Sequence, residues 1–365
     1  MMAFAFSDTD MNSRTLRILF ATVTVSLSTA LYGLLAGCSG GKKTLHIYNW
    51  ADYISPDVIR AFENEHSCRI VYDVYDSNEA MYAKLLSGAR GYDIVFPSSY
   101  QAILMQKQGM LEKLDHEKLP ALAHLDSAFM QNVALDKGAE YSIPYLVGTT
   151  GLAYNKERIG EAPSSWAALG NPTLKGRTTL LDDYREALGI ALLYLGHSAN
   201  SDNQAQVEAA GELLLEWKRN CARMSAMEYI PGLASGEFHL SHGYSSSVGA
   251  MMSDGAGHVD FVLPKEGFTI WVDSVAILAK APEKELAYAF LDFLCQPKNS
   301  ALNMEYNRGA APNPDAVALL PEELRADPVL FPDEDTLTRG EQLFPIEEHT
   351  DKIYLDVWMR VKARQ

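Results

Sequence analysis

Residues 267–278, GFTIWVDSVAIL, decide the fold. Most of the stretch is apolar and β-branched, the composition of a buried strand. Trp271 and Asp273 interrupt it two residues apart, and on a strand positions i and i+2 project from one face. An aromatic ring beside a carboxylate makes one wall of a box for a cation, which the ring face attracts and the carboxylate pairs with. From this stretch alone, Asp273 ending the strand or capping a turn, with Trp271 in the core, is the alternative. The remaining walls must come from elsewhere in the chain.

Upstream, strand and helix patterns alternate. Residues 44–48 read as a strand running into Asn49-Trp50-Ala51-Asp52-Tyr53. Ser55-Pro56 opens a helix, Ser as cap and Pro in the first turn. Ile70, Tyr72 and Val74 alternate as a strand, and Asn78 caps a helix ending at Gly88. Residues 92–96 form another strand, closing on Pro97-Ser98-Ser99-Tyr100, and a further helix stops at Gly109. This order predicts an α/β protein with a largely parallel sheet covered by helices on both faces. Ligands of such sheets sit beyond the carboxyl ends of the strands, where Trp50 to Tyr53 and Ser98 to Tyr100 fall.

Residues 142–148 read as an extended crossing, followed by a new strand at 150–154. A strand at 178–181 leads into Asp182-Asp183-Tyr184-Arg185-Glu186 and an apolar helix ending at Gly196. Asp183 and Glu186, three apart, face the same way; as N-cap and third helical residue they also fit a capping box. An amphipathic helix is expected over 204–220, others over 248–252 and 283–294, a linker at 311–314, and a helix over 353–361. His239 and His242 only weakly suggest a metal pair and are read as ordinary polar residues before a loop at 243–245.

Composition narrows the function. The 365 residues, 47% of them hydrophobic, suffice for two lobes, and a net charge of −16 argues against a nucleic-acid partner. Near the N-terminus, Arg14 and Arg17 precede an apolar run that ends in Leu35-Ala36-Gly37-Cys38. That pattern is a secretory signal over residues 1–37. LAGC resembles a bacterial lipobox, which implies lipidation of Cys38; an uncleaved membrane helix is the alternative. Ser39-Gly40-Gly41-Lys42-Lys43 would then be a flexible tether. With Cys38 lipidated, Cys68, Cys221 and Cys295 remain, an odd number, expected as small buried residues.

Five segments together resemble a known family: 48–53, 76–85, 141–145, 182–186 and 271–274 fall in the order and spacing of bacterial polyamine-binding proteins, the spermidine/putrescine receptors of ABC importers. The resemblance covers residue 44 to the C-terminus. It implies a two-lobed periplasmic-binding-protein fold (type II), with the ligand in a cleft between lobes joined by extended crossings. The lobes would be 42–146 plus 269–313 and 147–268 plus 314–365. Carried across motif by motif, Trp50, Asp52, Tyr53, Ser98 and Tyr100 line one side, and Asp183 and Glu186 face them. Tyr244 stands where the family usually has Trp, and Trp271 with Asp273 closes the box. Gln342 matches a family Gln if the alignment opens a gap. Ala51 replaces a common Thr, and Arg308-Gly309-Ala310 stands where the family tends to have a Tyr. Both departures are expected to penalise a third ammonium, so putrescine should bind at least as well as spermidine.

The resemblance implies a monomeric periplasmic lipoprotein, held to the membrane through Cys38, that delivers polyamines to an importer's permease and ATPase, with no catalytic residue, metal or cofactor. Two other functions compete. A glycoside hydrolase needs carboxyls on opposite sides of the scissile bond, whereas Asp183 and Glu186 share one helical turn. A surface lipoprotein for adhesion or sensing would carry the cleft unused.

Overall fold

A computed structural model describes residues 42–364. The expected signal over 1–37, Cys38 and the tether up to Gly41 lie outside the described residues. Strand β1 (Thr44–Trp50) pairs in parallel with β2 (Arg69–Tyr75) on one side and with β3 (Ile94–Val95) on the other. Helices α1 (Pro56–Glu65), α2 (Asn78–Leu86) and α3 (Ser99–Lys107) make the connections. Ser55 caps α1 as expected, its side chain accepting from Asp57 N, with Pro56 at the first position. The cap of α2 is not Asn78. Ser77 accepts from Ala80 N at 3.1 Å, which leaves the Asn78 amide for other partners.

The crossing at 142–148 and the strand at 150–154 are one strand, β4 (Ile143–Asn155), of thirteen residues. Pro144 and Gly148 do not interrupt it, because the ladder absorbs both. A register shift between Pro144 and Leu146 accommodates the residue without an N–H. Gly148 is required by packing: a Cβ there would lie 2.1 Å from Cζ2 of Trp271.

Next come β5 (Thr178–Leu180), α4 (Tyr184–Tyr194), α5 (Gln204–Lys218), β6 (Cys221–Met224), β7 (Leu240–Tyr244), α6 (Ser245–Ser253) and β8 (Val259–Val262). The opening stretch is β9 (Phe268–Ile277). Helices α7 (Lys284–Cys295) and α8 (Pro297–Asn307), strand β10 (Gly340–Gln342) and helix α9 (Glu348–Ala363) complete the described residues relevant to the site. Strand order is β2-β1-β3-β9-β4-β7-β5-β6, with β10 beside β9 and β8 beside β4. The outer strands are parallel within each lobe, as the alternation predicts; β9 and β4 run antiparallel to each other and carry the chain between lobes. Residue 310 adds a third strap, since Val147 and Ala310 exchange backbone hydrogen bonds at 2.7 and 3.0 Å.

Two apolar cores flank this crossing. One gathers Leu45, Ile47, Val58, Phe62, Ile94, Phe96, Val275, Ile277 and Phe290; the other gathers Leu152, Leu180, Leu188, Leu192, Leu214, Trp217, Tyr354 and Trp358. Each fully buried side chain of this size contributes roughly 1.5–3 kcal/mol. Ala316, Leu320, Leu324 and Leu330 pack on Ala301 and Met304 of α8. The lobe limit expected at residue 313 therefore falls inside one packed cluster.

Two smaller expectations need correction. Cys68 and Cys295 are buried, burial pushing the Cys295 thiol up to about 12, but Cys221 is only half-buried, with its thiol toward Trp217 O. His239 and His242 do not precede a loop. His242 is a fully buried residue of β7 whose Nδ1 accepts from Leu181 N at 3.5 Å, burial lowering its pKa to about 3, and β7 runs directly into α6.

Candidate functional site

A cavity of about 430 Å³ lies where the two lobes meet over the crossing strands. Trp271 and Asp273 both line it, as their two-residue spacing on a strand predicts. The isolated bridge between Ser98 and Asp273 brings the turn after β3 against β9. There the Asp273 carboxylate accepts from Ser98 Oγ at 2.7 Å and from the Tyr53 hydroxyl. Burial pushes this carboxyl up to about 6, against the pull of those two donors. Asn78 stands behind Ser98: its Oδ1 accepts from Ser98 N at 3.2 Å, and its Nδ2 donates to Ser98 Oγ at 3.1 Å and to the Tyr100 hydroxyl at 3.2 Å. Asn78 thus orients two wall residues at once.

The opposite end begins at α4. Asp183 is its N-cap, Oδ1 accepting from Arg185 N at 2.9 Å and Glu186 N at 3.1 Å. The capping reading is right for Asp183 and wrong for Glu186. The Glu186 carboxylate is 3% exposed and accepts from the Thr269 hydroxyl on β9, so the box is not closed. Burial, and then the neighbouring charge of Asp183, push Glu186 up to about 8; burial also raises Asp183, against the helix N–H groups that hold it down. Tyr244 OH faces Asp183 Oδ2 at 3.4 Å.

Aromatic walls stand between these carboxyls. The Trp50 indole donates to Phe96 O at 2.8 Å and packs edge-on against Tyr75 at 4.5 Å, while Tyr244 and Trp271 meet edge-to-face at 6.2 Å. Thr269, which holds Glu186, and Asp273 are four residues apart on β9, about 13 Å of strand. The arrangement therefore presents carboxylates at two separated points with ring faces between them. It can hold a cation at each point and an apolar chain along the middle.

The bacterial extracellular solute-binding protein family model matches residues 57–332. The chain belongs to this family. Its members bind solutes and are not enzymes, so the carboxyls of the cleft have no catalytic part. The spermidine/putrescine-binding periplasmic protein of Escherichia coli is 35% identical over 334 residues, which cover 91% of this chain and 95% of that protein. A putative spermidine/putrescine ABC transporter structure from Listeria monocytogenes superposes with a TM-score of 0.84 at 35% identity, covering 89% of this chain and 100% of that one. A lipoprotein of Treponema pallidum superposes with a TM-score of 0.79 at 30% identity, covering 88% and 100%. The two-lobed fold expected from the sequence is the fold of these solute-binding proteins.

Of the residues singled out from sequence, Trp50, Asp52, Tyr53, Ser98, Tyr100, Asp183, Glu186, Tyr244, Trp271 and Asp273 line the cavity. Asp52 sits at its exposed mouth with φ 54°. Gln342 does not line it. Parallel pairing of β10 with β9 sets Gln342 opposite Ile270, and its neighbour Leu343 lines the cavity instead. Arg308 is also absent from the wall. It ends α8 in a left-handed conformation and its guanidinium donates to Ser253 Oγ at 2.6 Å, so the expected charge penalty on a third ammonium loses its basis. Tyr306, two residues earlier, lines the cavity and faces Asp52 Oδ1 at 3.4 Å. Asn78, Met227, Met251, Asp254 and Tyr306 complete parts of the wall that sequence reading missed.

Proposed function

We propose that this protein captures polyamines, putrescine and spermidine among them, between its lobes and delivers them to an ABC importer. The observation that carries this reading is the pairing of separated carboxyls, Asp273 at one end and Asp183 with Glu186 at the other, across aromatic walls. A saturated chain advances about 1.25 Å per bond, so putrescine spans about 6 Å between nitrogens and spermidine about 11 Å. With an ammonium–carboxylate bond of about 2.8 Å at each end, putrescine reaches about 12 Å, commensurate with the span of about 13 Å between the two anchor points on β9, while extended spermidine reaches about 17 Å and so must fold back or pass one anchor. The relatives' names, which include spermidine/putrescine-binding periplasmic protein, support the same ligand class.

The lobes would be 42–146 plus 269–313 and 147–268 plus the remainder, with residues 314–330 riding on the first because they pack on α8. Lipid anchoring through Cys38 rests on the LAGC sequence and on the Treponema lipoprotein relative; a monomeric periplasmic receptor is the corresponding whole. Titration calorimetry on protein stripped of endogenous amine by unfolding and refolding tests the ligand class. Saturable one-to-one binding of putrescine or spermidine is expected, and heats no larger than for a neutral diol of equal length would refute it. Metabolic labelling with a fatty acid tests the anchor. It should mark the wild type and not Cys38→Ala.

A further inference from the structure

The carboxyls of the cleft meet few balancing charges from the protein. Arg185 directly follows Asp183 and is only 1% exposed, but its guanidinium donates to Phe344 O at 3.0 Å and Asn200 Oδ1 at 2.8 Å and lies over the rings of Tyr100 and Tyr354. The groups that hydrogen-bond the carboxyls are neutral: Tyr244 and the Arg185 and Glu186 N–H groups to Asp183, Thr269 to Glu186, Tyr53 and Ser98 to Asp273; the Arg185 charge opposes the rise of Asp183 and Glu186 without outweighing burial. From α2 of the first lobe, Glu79 adds its negative field to Asp183. Beyond the pair, Asp182 is matched by Lys362 at 2.9 Å, and Asp351 accepts from the Tyr184 hydroxyl at 2.6 Å.

The lobes touch around this assembly. Tyr100 of the first lobe packs with Leu193, Ala199 and Leu343 of the second, and Arg308 reaches Ser253. Glu186 and Asp273 are only 3% and 7% exposed, and like charges so screened from solvent repel far more strongly than in it. An ammonium chain cancels that repulsion, and so does a proton.

We infer that protons stand in for the amine: without amine, acid alone draws the two lobes together around Asp183, Glu186 and Asp273. This rests on the cation-binding reading of the cleft. The raised values of Glu186, about 8, and Asp273, about 6, belong to the contacting arrangement. With the lobes apart and the cleft hydrated, a glutamate titrates near 4.3. Contacting lobes therefore hold more protons than separated ones. Closure is favoured as pH falls through about 8, gains until both forms are protonated near pH 4, and is unaided above about 8. Between about pH 8 and pH 5.5 the closing equilibrium of amine-free protein shifts by several hundred-fold toward closure, about 150-fold of it from Glu186.

Small-angle scattering on amine-stripped protein reads this directly. At about pH 8 putrescine should shrink the radius of gyration, and at about pH 5.5 the amine-free protein should already have the smaller value; acid unfolding would enlarge it instead. Glu186→Gln, which removes the titrating charge, should be compact near pH 8 without amine. Asp273→Asn, at the other end, should raise the pH at which the wild type contracts. If acid leaves the amine-free radius unchanged while putrescine still shrinks it near pH 8, proton substitution is wrong and the amine reading stands. If putrescine has no effect near pH 8, the amine reading fails and this inference falls with it.

Discussion

At one end of the cleft Asp273 takes hydrogen bonds from two side-chain hydroxyls, Tyr53 and Ser98; at the other, Asp183 takes them from backbone N–H groups at the start of α4 and Glu186 from Thr269. The first is one carboxyl with two donors. The second is two carboxyls one helical turn apart that raise each other's cost of ionisation. One end is thus a lone acceptor that loses its charge only below about pH 6, and the other is a pair whose charge already shifts near neutrality. A cleft built this way can grip one end of a chain while tuning its hold on the other.

Removing the lone acceptor should do the most damage. Asp273→Ala is expected to weaken polyamine binding by about 3–5 kcal/mol, because it leaves an ammonium buried without its partner. Calorimetry on the folded variant measures it, and an undiminished affinity would make Asp273 a structural residue. Asp183→Ala and Glu186→Ala each should cost less, about 2–3 kcal/mol, since the neighbouring carboxyl remains. Asp183→Ala should also lower the melting stability by about 1 kcal/mol through the lost cap, a loss that Glu186→Ala should not share.

Next in size comes the effect of pH. An ammonium favours the ionised form of Glu186, whose pKa is raised to about 8 only where the lobes touch, so binding to the acid-closed form expels a proton. Affinity should therefore fall as pH drops from about 8 to 7, by up to about fivefold over that unit. Comparing binding heats in buffers of different ionisation enthalpy counts the proton released; a count of zero would erase the contrast between the two ends. The smallest change is expected at Asn78. Asn78→Ala should cost about 1 kcal/mol of affinity by freeing Ser98 and Tyr100 to rotate, without removing any carboxyl. An effect as large as that of Asp273→Ala would mean that Asn78 contacts the ligand itself.

Much of this was legible in the chain. The two-residue spacing of Trp271 and Asp273 on an apolar run put both on one wall, and Asp183 before an apolar helix gave both cap and acceptor. What escaped reading escaped for physical reasons. Thr269 looks like one more β-branched strand residue, and only the approach of α4 to β9 makes its hydroxyl a partner of Glu186. Helix α8 leaves little apolar signature because most of its buried residues are polar. Asn299, Asn303 and Asn307 recur every four residues, bonding Phe293 O, Ser55 N and Tyr53 O, so no apolar periodicity marks the helix. Tyr306 follows from that helix and was invisible with it. Gln342 was misplaced because the pairing of β10 with β9, not the local sequence, decides which of two neighbours meets the cleft.

The Trp271 indole rests on Gly148, where β4 has given up its side chain to let the ring lie against the backbone. The two residues are register partners on the very strands that carry the chain from lobe to lobe. Bending there tilts the ring together with the lobes. If Trp271 is a wall of the binding site, an importer that pries such a receptor apart would need no separate trigger to unload it, because the motion that opens the door would also swing that wall away.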